Sequence, residues 1–238
     1  MTFNCAAITG ASSGIGRSIA LKMVREGISV AMLARRLNRL EELAAELKEI
    51  NPRVKIFQFQ GDIREKNSVE TFLSECEKSL GKVDIFFNNA GIAFDEPFTN
   101  LSSEQVEDLV GTNFTGSIWS IYHAMQIFEK RKKGVLVNIS STTVLKPSPQ
   151  APLYSATKLG VTGLVRALEE KYLTEKDIKI INVIPGPTLT ELISDRIKDL
   201  NKESLISPDD IAHWAWLAIN SPKNCKVSNL VLRNSGEF

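Results

Sequence analysis

Cysteine and histidine are scarce in this chain of 238 residues: three of the first, Cys5, Cys76 and Cys225, and two of the second, His123 and His213. The cysteines lie far apart in sequence and form no Cys-x-x-Cys pair, which argues against a thiolate metal site or a disulfide framework and suits a reducing compartment. The histidines fall in helical segments without a partner at metal-ligand spacing, so no metal is inferred. An excess of one charge is missing too. Lys and Arg number 29 against 28 Asp and Glu, leaving no broad field to gather nucleic acid or an anionic membrane. No apolar run approaches the roughly 18 residues that span a bilayer, and no charged stretch or cleavage site precedes the first apolar segment, so a cytoplasmic address is expected. With 43% hydrophobic and 24% charged residues the chain can bury a substantial core, and no linker, repeat or low-complexity stretch divides it. A single domain over residues 1–238 is expected, with a small molecule as its partner.

Short apolar runs alternate with longer segments of helical period. Residues 5–9, 29–34, 54–59, 83–88, 135–140, 178–184 and 230–233 read as seven strands, and their continuous apolarity suits strands covered on both faces. Helical spacing runs through 15–26, 37–50, 68–79, 103–132, 155–172 and 208–219. Ser102 and Ser207 stand at helix starts, and Gly134 follows the basic run Lys130-Arg131-Lys132-Lys133 as a helix stop. The alternation predicts an α/β fold: a Rossmann-like, doubly wound sheet of about seven parallel strands with helices on both faces and a crevice at the strands' carboxyl ends. The long connection 185–206 is read as a mobile lid.

The glycine-rich turn Thr9-Gly10-Ala11-Ser12-Ser13-Gly14-Ile15-Gly16 stands between the first strand and the first helix. Glycines there permit a tight turn and close approach to a pyrophosphate, and the helix N-terminus supplies N–H donors. The second strand ends Ala34-Arg35-Arg36, where an acidic residue would take the adenosine ribose 2′-hydroxyl. Ala34 removes that carboxylate, while Arg35, Arg36 and Arg17 offer planar donors for a 2′-phosphate, so NADP(H) is expected over NAD(H). Asp62, after the third strand, is placed to accept from the adenine amino group or to serve the local turn, with Ile63 packing beside the ring. Asn88-Asn89-Ala90-Gly91 ends the fourth strand: small residues let the chain pass close beneath a cofactor, and the asparagines can brace the sheet.

Farther on, Tyr154-Ser155-Ala156-Thr157-Lys158 places a phenol and an ammonium one helical turn apart, thirteen residues after Ser141. A tyrosine pKa of about 10 is too high for acid–base work near neutrality, and a neighbouring cation lowers it. These features occur in order along the chain: Thr9-Gly10-x-x-x-Gly14-x-Gly16, Asp62, Asn88-Asn89-Ala90-Gly91, Asn113, Ser141, Tyr154-x-x-x-Lys158 and Pro185-Gly186. Together they resemble the short-chain dehydrogenase/reductase family in its compact branch, over almost the whole chain. The resemblance implies an NADP(H)-dependent oxidoreductase that reduces a ketone, aldehyde or diketone, or runs in reverse. Tyr154 would be the general acid/base and Ser141 would hold the substrate oxygen. Lys158 would also bind the nicotinamide ribose, and Asn113 would order a water that relays protons to it. Pro185, Gly186 and either Thr188 or Thr190 would meet the nicotinamide carboxamide. The resemblance also implies a homodimer or homotetramer, for which 103–132 and 155–172 offer faces.

A mainly apolar set, Ala93, Phe94, Val144, Leu145, Lys146, Leu189, Leu192 and Ile193, is expected to border the substrate. The chain departs from many relatives in Thr142-Thr143-Val144 and in Pro149 and Pro152 before Tyr154. It lacks the Asp-Gly-Gly ending common in acyl-carrier-protein reductases, which disfavours a 3-oxoacyl-thioester reductase without removing it. A sugar-nucleotide epimerase of the extended branch is disfavoured by the short stretch after Pro185. A catalytically idle, NADP(H)-sensing regulator would be marked by loss of Ser141, Tyr154 or Lys158, all of which are present.

Overall fold

The computed structural model describes residues 3–94, 96–175, 177–193 and 204–235; much of the expected lid, 194–203, lies outside them. Seven parallel strands form one sheet: β1 (Cys5–Thr9), β2 (Ser29–Ala34), β3 (Ile56–Gln60), β4 (Ile85–Asn88), β5 (Gly134–Ile139), β6 (Ile178–Pro185) and β7 (Asn229–Leu232). Their order is β3-β2-β1-β4-β5-β6-β7. The helices are α1 (Gly14–Arg25), α2 (Leu37–Ile50), α3 (Lys66–Leu80), α4 (Ser103–Val110), α5 (Ser117–Arg131), α6 (Pro152–Lys171) and α7 (Pro208–Ile219).

Side-chain alternation along each strand divides the core into two layers. Ala6 and Ile8 of β1 point toward α1, α2 and α7, where Ile19, Leu40, Leu47 and Ala215 cover them. Cys5 and Ala7 point the other way, toward Phe72 of α3, Phe128 of α5 and Val161 of α6. Small residues on β1 admit helices closely on both faces. The winding reverses between β1 and β4, which are hydrogen-bonded neighbours although far apart in sequence. A crevice therefore opens at their carboxyl ends, where the glycine-rich turn and the Asn88-Asn89 corner meet.

Four asparagines form a row across the carboxyl half of the sheet. Asn88 is in register with Asn138, Asn138 with Asn182, and Asn182 with Asn229. Asn88 Nδ2 donates to Asn138 Oδ1 at 2.8 Å, Asn138 Nδ2 to Asn182 Oδ1 at 2.8 Å, and Asn182 Nδ2 to Asn229 Oδ1 at 3.3 Å. Each Nδ2 satisfies the next oxygen along the row, which makes a polar stripe tolerable inside an apolar sheet, and Asn88 Oδ1, at the β4 end, is left without a hydrogen-bond partner among the described residues.

The structure revises two expectations. The helix read over 103–132 is interrupted: α4 and α5 are separated by a π-type turn, Gly111–Gly116, that carries Asn113. Gly134 is not the stop of α5 but the first residue of β5, and Lys132, at φ 55°, adopts the left-handed conformation at the helix end. Gly134 is small because the Phe128 ring fills the space a Cβ would need. Cys5 and Cys76, distant in sequence, meet in the core with their sulfurs 3.7 Å apart as free thiols. The bond between them, together with burial, pushes the Cys5 thiol pKa upward and favours its protonated form.

Candidate functional site

The first corner is built by backbone contacts. Gly10, at φ 67°, lies so near β4 that a Cβ on it would stand 2.7 Å from Ala90 Cα. Thr9 Oγ1 donates to the Phe87 carbonyl at 3.2 Å and accepts the N–H groups of Asn89 and Ala90 at 3.0 and 3.2 Å. Asn89 Nδ2 in turn donates to the carbonyls of Thr9 and Gly10 at 2.9 and 3.2 Å. Asn88 braces the sheet and Asn89 braces the glycine turn. Gly16 lies behind this corner, where its missing side chain leaves room for Asn89.

A cleft of about 750 Å³ opens above the corner. Gly10, Ser12, Ser13, Gly14 and Ile15 form one wall; Arg35, Arg36, Asp62 and Ile63 stand at one end. Asn89, Ala90 and Gly91 form its floor, and Ser141, Tyr154, Lys158, Pro185, Gly186 and Thr188 close the other end. Three residues predicted for the cofactor and catalytic ends, Gly16, Arg17 and Asn113, do not line it.

Arg36, at the start of α2, donates through Nη2 to Ser12 Oγ at 3.1 Å and Ser13 Oγ at 3.0 Å, tying α2 to the glycine turn. Arg17 does not reach this end of the cleft and pairs with Glu46 of α2 instead. Arg39 was not anticipated. It lies one turn beyond Arg36, and its ion pair with Glu191, 152 residues away, had no local signal in the sequence. Arg64 was also missed: its guanidinium grips Asp62 Oδ2 at 2.8 and 2.9 Å and reaches Asp108 on α4. Partial burial pushes the Asp62 carboxyl up, but the Arg64 bonds outweigh it and hold the pKa below the ordinary carboxylate value.

At the opposite end, Lys158 is 8% exposed, its Nζ donates to the Ile139 carbonyl at 3.0 Å, and it stands 5.8 Å from the centre of the Tyr154 ring. Burial pushes its pKa down from 10.5 to about 8. Ser141 Oγ accepts the N–H of Thr143 at 3.2 Å, which leaves the serine proton free to be donated into the cleft. Asn113 is fully buried and clamps one residue from both sides, accepting the Ile92 N–H and donating to the Ile92 carbonyl, each at 2.8 Å. Its Oδ1 and the Lys158 ammonium flank Gly91, 3.4 and 3.6 Å from where a Cβ there would be.

Of the expected substrate border, Ala93, Phe94 and Leu192 line the cleft, while Val144, Leu145, Lys146 and Leu189 do not; the Ile193 side chain lies outside the described residues. Thr188 Oγ1 donates to the Gly186 carbonyl at 2.9 Å and Thr190 Oγ1 to the Thr188 carbonyl at 3.3 Å, and both residues line the cleft. Among the described residues no group of three His, Cys, Asp or Glu is gathered to hold a metal ion, and no helix is long and apolar enough to cross a membrane.

A parallel sheet with a glycine-lined crevice at the reversal of its winding defines the dinucleotide-binding α/β class. Residues 4–201 match the sequence model of the short chain dehydrogenase family, and the chain belongs to the short-chain dehydrogenase/reductase family of oxidoreductases. An uncharacterized oxidoreductase of Staphylococcus haemolyticus is 30% identical over 228 residues, 96% of either chain. The solved alcohol dehydrogenase of the archaeon Thermococcus sibiricus, complexed with 5-hydroxy-NADP, superposes with a TM-score of 0.88 at 27% identity over 100% of both chains. An actinorhodin polyketide ketoreductase with NADPH superposes with a TM-score of 0.86 at 26% identity over 98% of this chain and 96% of that one.

Proposed function

We propose that this oxidoreductase is an NADP(H)-dependent carbonyl reductase that converts a ketone, aldehyde or diketone to the alcohol and also runs in reverse. The observation that carries the reading is the common cleft: Ser141, Tyr154 and Lys158 face the same space as the glycine turn and Arg36. The residues present fit a dinucleotide, because the glycine turn lines an open cleft floored by Asn89, Ala90 and Gly91, and Arg36 stands at the end of β2 where an NAD site would carry an acidic residue. Gly10 to Ile15 would take the pyrophosphate, Arg35 and Arg36 the 2′-phosphate, Asp62 and Ile63 the adenine, and Pro185, Gly186 and Thr188 the carboxamide. When bound, the cofactor supplies or accepts the hydride.

The chain's own residues handle the proton and the orientation. The Ser141 hydroxyl hydrogen-bonds to the substrate oxygen, keeping its own proton, and fixes that oxygen beside Tyr154. Tyr154 gives its phenolic proton to that oxygen in reduction and takes it back in oxidation. The Lys158 ammonium favours the phenolate, so the proton leaves more readily. Asn113 acts at one remove, holding the Ile92 backbone beside Lys158 and, by family resemblance, ordering a water for proton return.

Residues 1–238 are proposed as one domain, supported by the single sheet that joins the first and last described elements. A cytoplasmic homodimer or homotetramer completes the reading. Tyr122 on α5 and Leu159 on α6, 49% and 39% exposed, offer an apolar face for such pairing.

The test is carbonyl-dependent NADPH consumption across aldehydes, ketones, diketones and β-keto esters, with Tyr154→Phe beside the parent protein. Turnover by the parent and a loss of about 10² to 10⁴ in the variant are expected. NADPH binding without turnover on any carbonyl would instead indicate the regulatory role.

A further inference from the structure

The chain that follows β6 reaches back over the mouth of the cleft. Thr190 sits on the glycine turn, so close that a Cβ on Gly14 would stand 3.0 Å from Thr190 Cγ2. One residue on, both oxygens of the Glu191 carboxylate accept from Arg39 Nη1, at 2.6 and 2.7 Å. The same carboxylate lies 3.4 Å from Arg36 Nη1. Arg36 thus divides its guanidinium, Nη2 to the serines of the glycine turn and Nη1 to Glu191.

These donors form a cationic pair, Arg36 at the start of α2 and Arg39 one turn along it, on the side of the cleft where the acidic residue of an NAD site is missing. A guanidinium fork suits a phosphate and a carboxylate alike, and both cannot use one N–H at once. We propose that Glu191 is a specificity-determining residue of the cofactor site: its carboxylate occupies the Arg36 and Arg39 donors and competes for them with the 2′-phosphate of NADP(H). The inference rests on the NADP(H) reading and deepens it.

NADPH has to displace Glu191 to gain the arginines, whereas NADH leaves the pair intact. The contact therefore narrows the preference for NADP(H) that the arginines alone would set. It also couples the two ends of the site. Glu191 is the neighbour of Leu192, which lines the cleft, so a 2′-phosphate that releases the carboxylate frees the segment bordering the substrate. All three side chains are substantially exposed, Arg36 44%, Arg39 36% and Glu191 58%, so solvent screens the pair and the latch is weak and reversible. An exposed ion pair at the upper end of the usual range corresponds to a three- to sixfold effect, about, on a competing ligand.

The experiment is equilibrium binding of NADPH, NADH, 2′,5′-ADP and 5′-AMP to the parent protein and to Glu191→Gln, at low and high salt. The glutamine variant is expected to bind NADPH and 2′,5′-ADP about three- to sixfold more tightly at low salt, with NADH and 5′-AMP unchanged and the gain shrinking as salt rises. A parent that prefers 2′,5′-ADP over 5′-AMP by a margin the substitution does not widen overturns the latch alone. Equal affinity of the parent for the two fragments overturns the NADP(H) reading, and the latch with it. Tighter binding of all four ligands by the variant also overturns the latch, since it would report a general loss of negative charge.

Discussion

The Lys158 ammonium donates to the main-chain oxygen of Ile139 at 3.0 Å, a dipole at the end of β5 and not a charge. Burial without a counter-charge is what brings its pKa down to about 8. Below that value the side chain is a cation beside Tyr154; above it the cation is lost. The kcat/KM for carbonyl reduction is therefore expected to fall as pH rises through about 8 in the free enzyme, measured as a profile from pH 6 to 10. A profile flat across that range would remove Lys158 protonation from the mechanism.

The same shift has a thermodynamic sign. A lysine whose folded value, about 8, lies below its ordinary 10.5 binds fewer protons folded than unfolded between those limits. Stability contributed by this group consequently rises with pH across that window, and the burial penalty, about 3 kcal/mol, stands in full below pH 8. Denaturant titrations at pH 7 and 9 are expected to show a gain in the parent protein that Lys158→Met lacks.

Arg36 joins the glycine turn to α2 through Ser12 and Ser13. Loss of a charge-assisted contact to a 2′-phosphate costs about 1.5 to 3 kcal/mol. Arg36→Ala is expected to weaken NADPH binding at least about tenfold while leaving NADH within about twofold, read by nicotinamide fluorescence. Parallel losses for the two cofactors would assign the arginine to the turn's stability and not to the phosphate.

Asn138 stands in the middle of the asparagine row, giving a proton to Asn182 and taking one from Asn88. Asn138→Leu strands two buried polar groups at once. A loss of about 2 to 5 kcal/mol in urea unfolding is expected. Asn229→Leu, at the exposed end of the row, is expected to cost under about 1 kcal/mol.

The elements that sequence reasoning located best are those with strong local signals. Continuous apolar runs marked β1 and β2 to the residue, and the periodic stripe of α2 marked Leu37–Ile50. The glycine turn and the Tyr154–Lys158 spacing are likewise short-range patterns. What escaped were relations between distant residues. The Glu191 contact with Arg39 joins residues whose neighbours in sequence say nothing of each other. The asparagine row needed the register of four strands, which no single strand encodes. The interruption at Gly111–Gly116 was invisible because a turn widened by one residue leaves the apolar pattern on either side intact.

That widened turn sets a rule about length. A residue advances an α-helix by about 100°, so α5 sits in a different rotational phase from the one an unbroken α4 would have given it. Ile121 and Phe128 face the sheet in this phase, and Asn113 faces Ile92 from within the turn itself. A deletion of one residue between 111 and 116 would let the turn close to α-helical pitch with the core face of α5 kept in phase, so its cost would fall on the Asn113 clamp. The one added residue of this turn thus serves the hold on Ile92, and the inward face of α5 does not depend on it.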